Sequence, residues 1–295
     1  MYKSGFVSIV GSPNAGKSTM LNALLGKKVS IVSDKVQTTR DMIKGVYHEE
    51  ELQIVFLDTP GFHKPQNKLQ NYMNFQIDEA LYDIEAIVYV IDGEFGLGKK
   101  EQANIERLKN IKNVPKIAVV NKIDIIEQEK AMRIVNELLE LEIFEEVIAT
   151  SMKEKFNTQA VIEALRPHIP EGVQYYEKGQ VSDSPEAFII SEIVREKVLR
   201  RTFEEVPHSI GIKVDELEHT KHEVYIEVTI YVERDSQKGI IIGKKAEKLK
   251  RIGIEARRDL QEQYGKNVYL KTHVKVLKNW RRKLDLLKEV GYEID

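Results

Sequence analysis

The chain runs to 295 residues, 42% of them hydrophobic, with no cysteine and a formal net charge of -2. That length suggests two domains of roughly 150 residues each, with ample apolar chain for their cores. Without cysteine there is no disulfide framework, thiolate metal site or thiol nucleophile, which suits a reducing cytoplasm; the 7 histidines lack metal-ligand spacing, and no apolar run approaches the ~18 residues of a membrane span.

The opening residues lead straight into a strand pattern, so no signal peptide is expected. Residues 5–10 are an apolar run, and 17–25 read as a helix. Between and across them lies Gly11-Ser12-Pro13-Asn14-Ala15-Gly16-Lys17-Ser18-Thr19. It fits the phosphate-loop pattern G-x-x-x-x-G-K-[ST] in the strand–loop–helix context that the pattern requires. The glycines let backbone N–H groups converge on one centre, and the helix adds its positive end. Lys17 reaches the outer phosphates, and the Ser18 hydroxyl suits a magnesium ion.

Further apolar runs at 53–57, 86–91, 116–120 and 147–150 alternate with helical patterns at 99–108, 128–139 and 158–165. Such alternation predicts a doubly wound α/β sheet over residues 1–170, with ligands beyond the carboxyl ends of its strands. The run at 53–57 ends in Asp58-Thr59-Pro60-Gly61. Asp58 is placed to hold magnesium through water, and Gly61 to bring its N–H close to the terminal phosphate, since no Cβ intervenes. The run at 116–120 ends in Asn121-Lys122-Ile123-Asp124. The two oxygens of Asp124 match the two donors on one edge of guanine, and adenine would leave them unpaired. Asn121 is expected to tie this loop to the phosphate loop, and the Lys122 stem to cover the base.

In this order the motifs resemble the GTPase superfamily. The resemblance implies a last base-side loop at Ser151-Met152-Lys153, where Met152 replaces the usual alanine and would contact the base through its backbone. It also implies a magnesium-ligating threonine in the mobile segment 35–41. Thr38 and Thr39 both fit, and likeness to T-T-R segments favours Thr39. Contacts from such loops to the third phosphate would order them, and hydrolysis would release them. Phe62 stands where many GTPases place a water-orienting glutamine, so slow hydrolysis is expected, carried by Lys17, magnesium, Thr39 and backbone N–H groups such as that of Gly61. Subfamilies with asparagine at the position of Asn14 resemble potassium-assisted enzymes, so a potassium ion beside GTP or GDP and Mg2+ is also expected.

Residues 171–185, with two glycines and few apolar anchors, read as a linker, and 186–295 as a second domain. A helix is predicted at 186–201, and alternating strands at 209–217 and 223–232. A helical pattern then holds Leu249 and Ile252, another helix spans 254–264, and a last strand 267–276. Residues 238–283 carry 15 Lys or Arg and 4 Asp or Glu, an electrostatic footprint for a polyanion. The α-β-β-α-α-β order around Gly243-Lys244-Lys245-Ala246 resembles a type II K-homology RNA-binding domain, with Ala246 where a second glycine is usual. RNA contacts are expected from Gly239, Gly243, Lys244, Lys245, Ala246, Lys248 and Arg251, with Ile241 and Ile242 as an apolar floor for bases. Trp280 is expected to be a packed anchor more than a stacking platform.

Gln37-Thr38-Thr39-Arg40, Asp58-Thr59-Pro60-Gly61, the stretch Glu233-Arg234-Asp235-Ser236-Gln237-Lys238-Gly239 and Val274-Lys275-Val276 ahead of Trp280 together resemble the Era family over essentially the whole chain. That resemblance implies a GTP-dependent factor that binds the 3′ end of small-subunit ribosomal RNA and assists 30S assembly, with peripheral membrane association in some members; a monomer in the cytoplasm is expected. The competing reading is a membrane-surface GTPase whose basic domain meets anionic lipid or a protein partner.

Overall fold

The computed structural model describes residues 1–35, 37–204 and 206–292. Val36, part of the segment read as a mobile loop, lies outside the described residues. Two compact units emerge: Met1–Val32 with Thr39–Lys64 and Met73–Asp183, and Ser33–Thr38 with Pro65–Tyr72 and Ser184–Asp295.

The first unit is built on a six-stranded sheet in the order β2-β3-β1-β4-β5-β6. Its strands are β1 (Lys3–Gly11), β2 (Ile43–His48), β3 (Leu52–Asp58), β4 (Ala86–Asp92), β5 (Lys116–Asn121) and β6 (Glu146–Ala149). β2 runs antiparallel to β3, and the remaining pairs are parallel. β3, β4 and β5 are buried along their whole length, as parallel strands covered on both faces must be. The helices are α1 (Lys17–Leu25), α2 (Lys68–Glu79, from Met73 onward in this unit), α3 (Lys99–Lys109), α4 (Gln128–Leu139) and α5 (Thr158–Leu165). β2 and α2 are additions to the sequence reading. β2 is a short edge strand interrupted by Gly45, and α2 is rich in Gln and Asn, so neither shows a strong apolar run. Its Leu69, Met73 and Ile77 are nevertheless buried at four-residue spacing, the helical stripe.

The expected linker is different in nature up to residue 183. Glu171 bridges Lys3, the Ser4 hydroxyl donates to Val173 O at 2.7 Å, and Gln53 Oε1 accepts the amides of Tyr175 and Tyr176 at 2.8 and 3.0 Å. The Val46 amide donates to Val181 O at 2.9 Å. Residues 171–183 are thus an extended strap fastened by backbone groups, which composition does not reveal.

The second unit contains α6 (Glu186–Arg201), α7 (Val206–Ser209), β7 (Gly211–His219), β8 (Glu223–Val232), α8 (Asp235–Ile242), α9 (Glu247–Tyr264), β9 (Asn267–Val276) and α10 (Leu284–Val290). Its sheet has the order β7-β8-β9, antiparallel at the first pair and parallel at the second. Alternate residues of β8, Val224 to Val232, are fully buried, and the parallel return to β9 uses α8 and α9 as its crossover. Ion pairs Lys197–Asp259 and Arg201–Glu255 join α6 to α9. The two helices predicted at 249–264 are one, with Gly253 in its interior, and the additional helix α8 precedes it. Gln237 Oε1 accepts the amides of Glu233 and Arg234 at 2.9 and 3.0 Å, closing the first turn of α8. Trp280 is fully buried and donates to Ser209 O at 3.0 Å. Among the described residues no helix is long and apolar enough to cross a membrane.

Candidate functional site

Residues 11–16 link the end of β1 to α1 around a tight curve. Gly16 has φ 103, and a Cβ on it would lie 2.1 Å from Asn121 Nδ2, so conformation and space both require glycine here. Lys17 turns back over the loop and donates to Gly11 O at 3.2 Å and Ser12 O at 2.9 Å. Burial lowers its ammonium pKa to about 8, against the attraction of Asp58 and Glu101. A buried cation that hydrogen-bonds to carbonyl oxygens is poised for an anion. Asn104 Nδ2 steadies the loop from α3 through Ser12 Oγ at 3.0 Å.

The register of the sheet brings the end of β3 alongside this loop, since Asp58 is opposite Ile9 of β1. Ser18 Oγ donates to Asp58 Oδ2 at 2.6 Å and lies 2.9 Å from Thr39 Oγ1. Ser30 Oγ donates to the same Asp58 oxygen at 3.0 Å. Asp58 Oδ1 is buried without a hydrogen-bond partner among the described residues, and burial raises the Asp58 pKa. The Ser18 and Thr39 hydroxyls with the under-satisfied Asp58 carboxylate form a hard oxygen set that fits magnesium. The structure distinguishes the two threonines: Thr39 faces Ser18, whereas Thr38 Oγ1 donates to Lys35 O at 2.6 Å.

Gly61 packs so tightly on the loop that a Cβ would sit 2.5 Å from Pro13 N. The next amide, of Phe62, donates to Gly11 O at 3.1 Å, while the Phe62 ring enters the core beside Val10 and Tyr89. Arg107 of α3 stacks on that ring at 4.6 Å and pairs with Asp78 of α2. His63 follows, its Nδ1 2.8 Å from Gly61 O.

The base side forms where β5 and β6 end. Asn121 Nδ2 donates to Ala15 O at 2.9 Å, and its Oδ1 accepts the Met152 amide at 3.0 Å. One buried side chain therefore ties both nucleotide loops together. Ser151 Oγ donates to Asp124 Oδ1 at 2.6 Å, which orients that carboxylate, and Lys122 Nζ pairs with Asp92 at 2.6 Å. The Met152 amide expected at the base is engaged by Asn121, and its side chain is buried. Ser30, Asn104, Glu101 and His63 went unnoticed in the sequence; the first three act through tertiary contacts with no local motif, and His63 lies two residues beyond Gly61.

In the second unit Gly243 ends α8 at φ 73, and Lys245 and Ala246 both lie in the left-handed region, at φ 50 and φ 58. The loop thus keeps the backbone path that a second glycine would favour. Lys244, Lys245 and Ala246 are exposed, as is Arg251, and Lys248 is partly so. Ile241 is a correction: it is fully buried, because α8 turns it inward, so it offers no floor for bases. Ile242 is half-buried, and Gly239 is exposed on α8.

A family model described as 50S ribosome-binding GTPase matches residues 6–122, and a KH domain model matches residues 205–281. A solved structure of Era in complex with MgGDPNP and nucleotides 1506–1542 of 16S ribosomal RNA is 36% identical over 100% of both chains, with a TM-score of 0.96. The chain belongs to the Era family. A point variant of Aquifex aeolicus Era bound to GDP and aluminium fluoride is also 36% identical, over 99% of this chain and 100% of the other, with a TM-score of 0.95. As an Era-family member the chain is a GTPase, with a P-loop α/β domain followed by a K-homology domain.

Proposed function

We propose that this Era-family chain binds GTP and GDP at the loops of its first unit, hydrolyses GTP, and uses the basic loop of its second unit to grip the 3′ end of small-subunit ribosomal RNA during 30S assembly in the cytoplasm. The full-length likeness to the Era–RNA complex carries this reading. Lys17 and the loop amides would hold the phosphates, and Asp124, oriented by Ser151, would select guanine. Magnesium would be held by Ser18, Thr39 and Asp58 and would supply charge neutralisation at the outer phosphates. Because Thr39 belongs to this cluster, loss of the third phosphate would release its segment. Lys244, Lys245, Lys248 and Arg251 supply phosphate contacts, and Gly243 allows close backbone approach.

Fluorescence anisotropy with a 3′-terminal small-subunit RNA fragment tests this reading. Binding should weaken linearly on a log–log salt plot, and Lys244→Ala with Lys245→Ala should reduce that slope by about 2. Absence of RNA binding at low salt with GDP and with a non-hydrolysable GTP analogue would overturn it.

A further inference from the structure

With the Phe62 ring turned into the core, the water that attacks GTP needs another acceptor, and the next side chain has the chemistry. His63 Nδ1 lies 2.8 Å from the Gly61 carbonyl oxygen. A carbonyl only accepts, so Nδ1 carries the proton, and in the neutral ring Nε2 is an acceptor. That Nε2 is buried and has no hydrogen-bond partner among the described residues. A buried acceptor left unsatisfied is unfavourable, which points to a donor that enters with the substrate.

The ring is anchored to Gly61, the residue that packs on the phosphate loop. Gly61 abuts Pro13 and the Phe62 amide bonds Gly11, so residues 61–63 run along the phosphate loop. Asn74 of α2 fixes the same corner, its Nδ2 donating to His63 O at 3.4 Å, and its own Oδ1 is likewise a buried acceptor without a partner among the described residues. Phosphate oxygens at neutral pH only accept. Near the terminal phosphate, water is the species that brings an O–H donor.

We propose that His63 orients the attacking water by accepting a hydrogen bond from it at Nε2. The water oxygen bonds to the terminal phosphorus as the bond from that phosphorus to the bridging oxygen breaks. The electron pair of that bond leaves on GDP, the water proton ends on the released inorganic phosphate, and His63 is unchanged. Orientation of this kind would replace what a glutamine supplies in other GTPases. The inference rests on the GTP site proposed above.

The test compares the parent with His63→Ala and His63→Gln, by single-turnover GTP hydrolysis and by fluorescent GDP titration with and without aluminium fluoride. His63→Ala should lower kcat by at least about tenfold and leave KM and GDP affinity within about twofold. It should also lose the gain in GDP affinity that aluminium fluoride confers, while His63→Gln recovers part of the rate through its amide oxygen. Unchanged kcat in His63→Ala, or a fall in kcat matched by lost GDP affinity, overturns the role of His63. A parent that binds no guanine nucleotide refutes the site itself, and the role of His63 with it.

Discussion

Asn121 and Gly16 form a pair whose coupling follows from the geometry. The Asn121 amide sits over Gly16 with its Nδ2 where a Cβ would need to be, 2.1 Å away. Contacts below 3.0 Å are not tolerated by a real Cβ, so Gly16→Ala must push the Asn121 side chain aside by about an ångström. That displacement breaks the 2.9 Å bond to Ala15 O and the 3.0 Å bond from the Met152 amide. The alanine also has to adopt φ 103, a strain of about 1–2 kcal/mol. Asn121→Ala removes the same two hydrogen bonds directly, leaving a carbonyl and an amide unsatisfied at about 1–3 kcal/mol for each. Gly16→Ala therefore already contains most of the Asn121→Ala effect. In a double-mutant cycle on GDP affinity, read by fluorescent nucleotide titration, the double variant should bind within about twofold of Gly16→Ala alone, so that the coupling nearly equals the whole Asn121→Ala loss. If the two losses simply multiply, Asn121 is not the clasp between the loops.

The lowered pKa of Lys17, about 8, predicts a second effect. Below that value the native chain holds a buried cation, whereas between about 8 and ~10.4 the unfolded chain binds more protons, so this group adds stability as pH rises through that window. Nucleotide binding has the opposite trend, because phosphates need the charged form. GDP affinity should fall about fivefold between pH 8 and 9, with proton uptake in calorimetry repeated in two buffers, and Lys17→Arg should abolish the pH dependence. Asn14 has φ 63, which asparagine tolerates better than alanine. GTP turnover should be faster in potassium than in sodium, and Asn14→Ala should lose that difference beyond any loss of GDP affinity; equal rates in the two salts for the parent would reject the ion. Ala246 at φ 58 is strained by its Cβ, so Ala246→Gly should stabilise the second unit by roughly 0.5–1 kcal/mol, read as slower amide exchange in α9; faster exchange there would contradict this.

The phosphate loop, Asp58–Gly61 and Asn121–Asp124 were legible because each is a short polar motif at the end of an apolar strand, where local order and function coincide. Residue chemistry alone does not separate Thr39 from Thr38; likeness to T-T-R segments favours Thr39, and the contact with Ser18 places its hydroxyl beside Asp58. Ile241 and Ile242 read as a surface floor because a run of β-branched residues hides helical phase. Once α8 forms, Ile241 points inward. The helical pattern around Leu249 and Ile252 reads as separate from that at 254–264, yet α9 runs unbroken through Gly253 between them. The strap at 171–183 is held by backbone bonds to β1, β2 and Gln53, and composition cannot encode those partners. Ser30 became visible only when a chain segment distant from any motif was brought beside Asp58, whereas His63, two residues beyond Gly61, is singled out only by its fold-dependent burial.

The claim on which the rest depends is that Lys17, the oxygen cluster of Ser18, Thr39 and Asp58, and the carboxylate of Asp124 form one guanine-nucleotide site. Calorimetric titration of GDP and ADP with magnesium, into the parent and Asp124→Ala, tests it directly. The account predicts one GDP per chain, ADP weaker by about 10⁴-fold, and collapse of that preference in Asp124→Ala; equal affinity for GDP and ADP, or no heat with either, would contradict it.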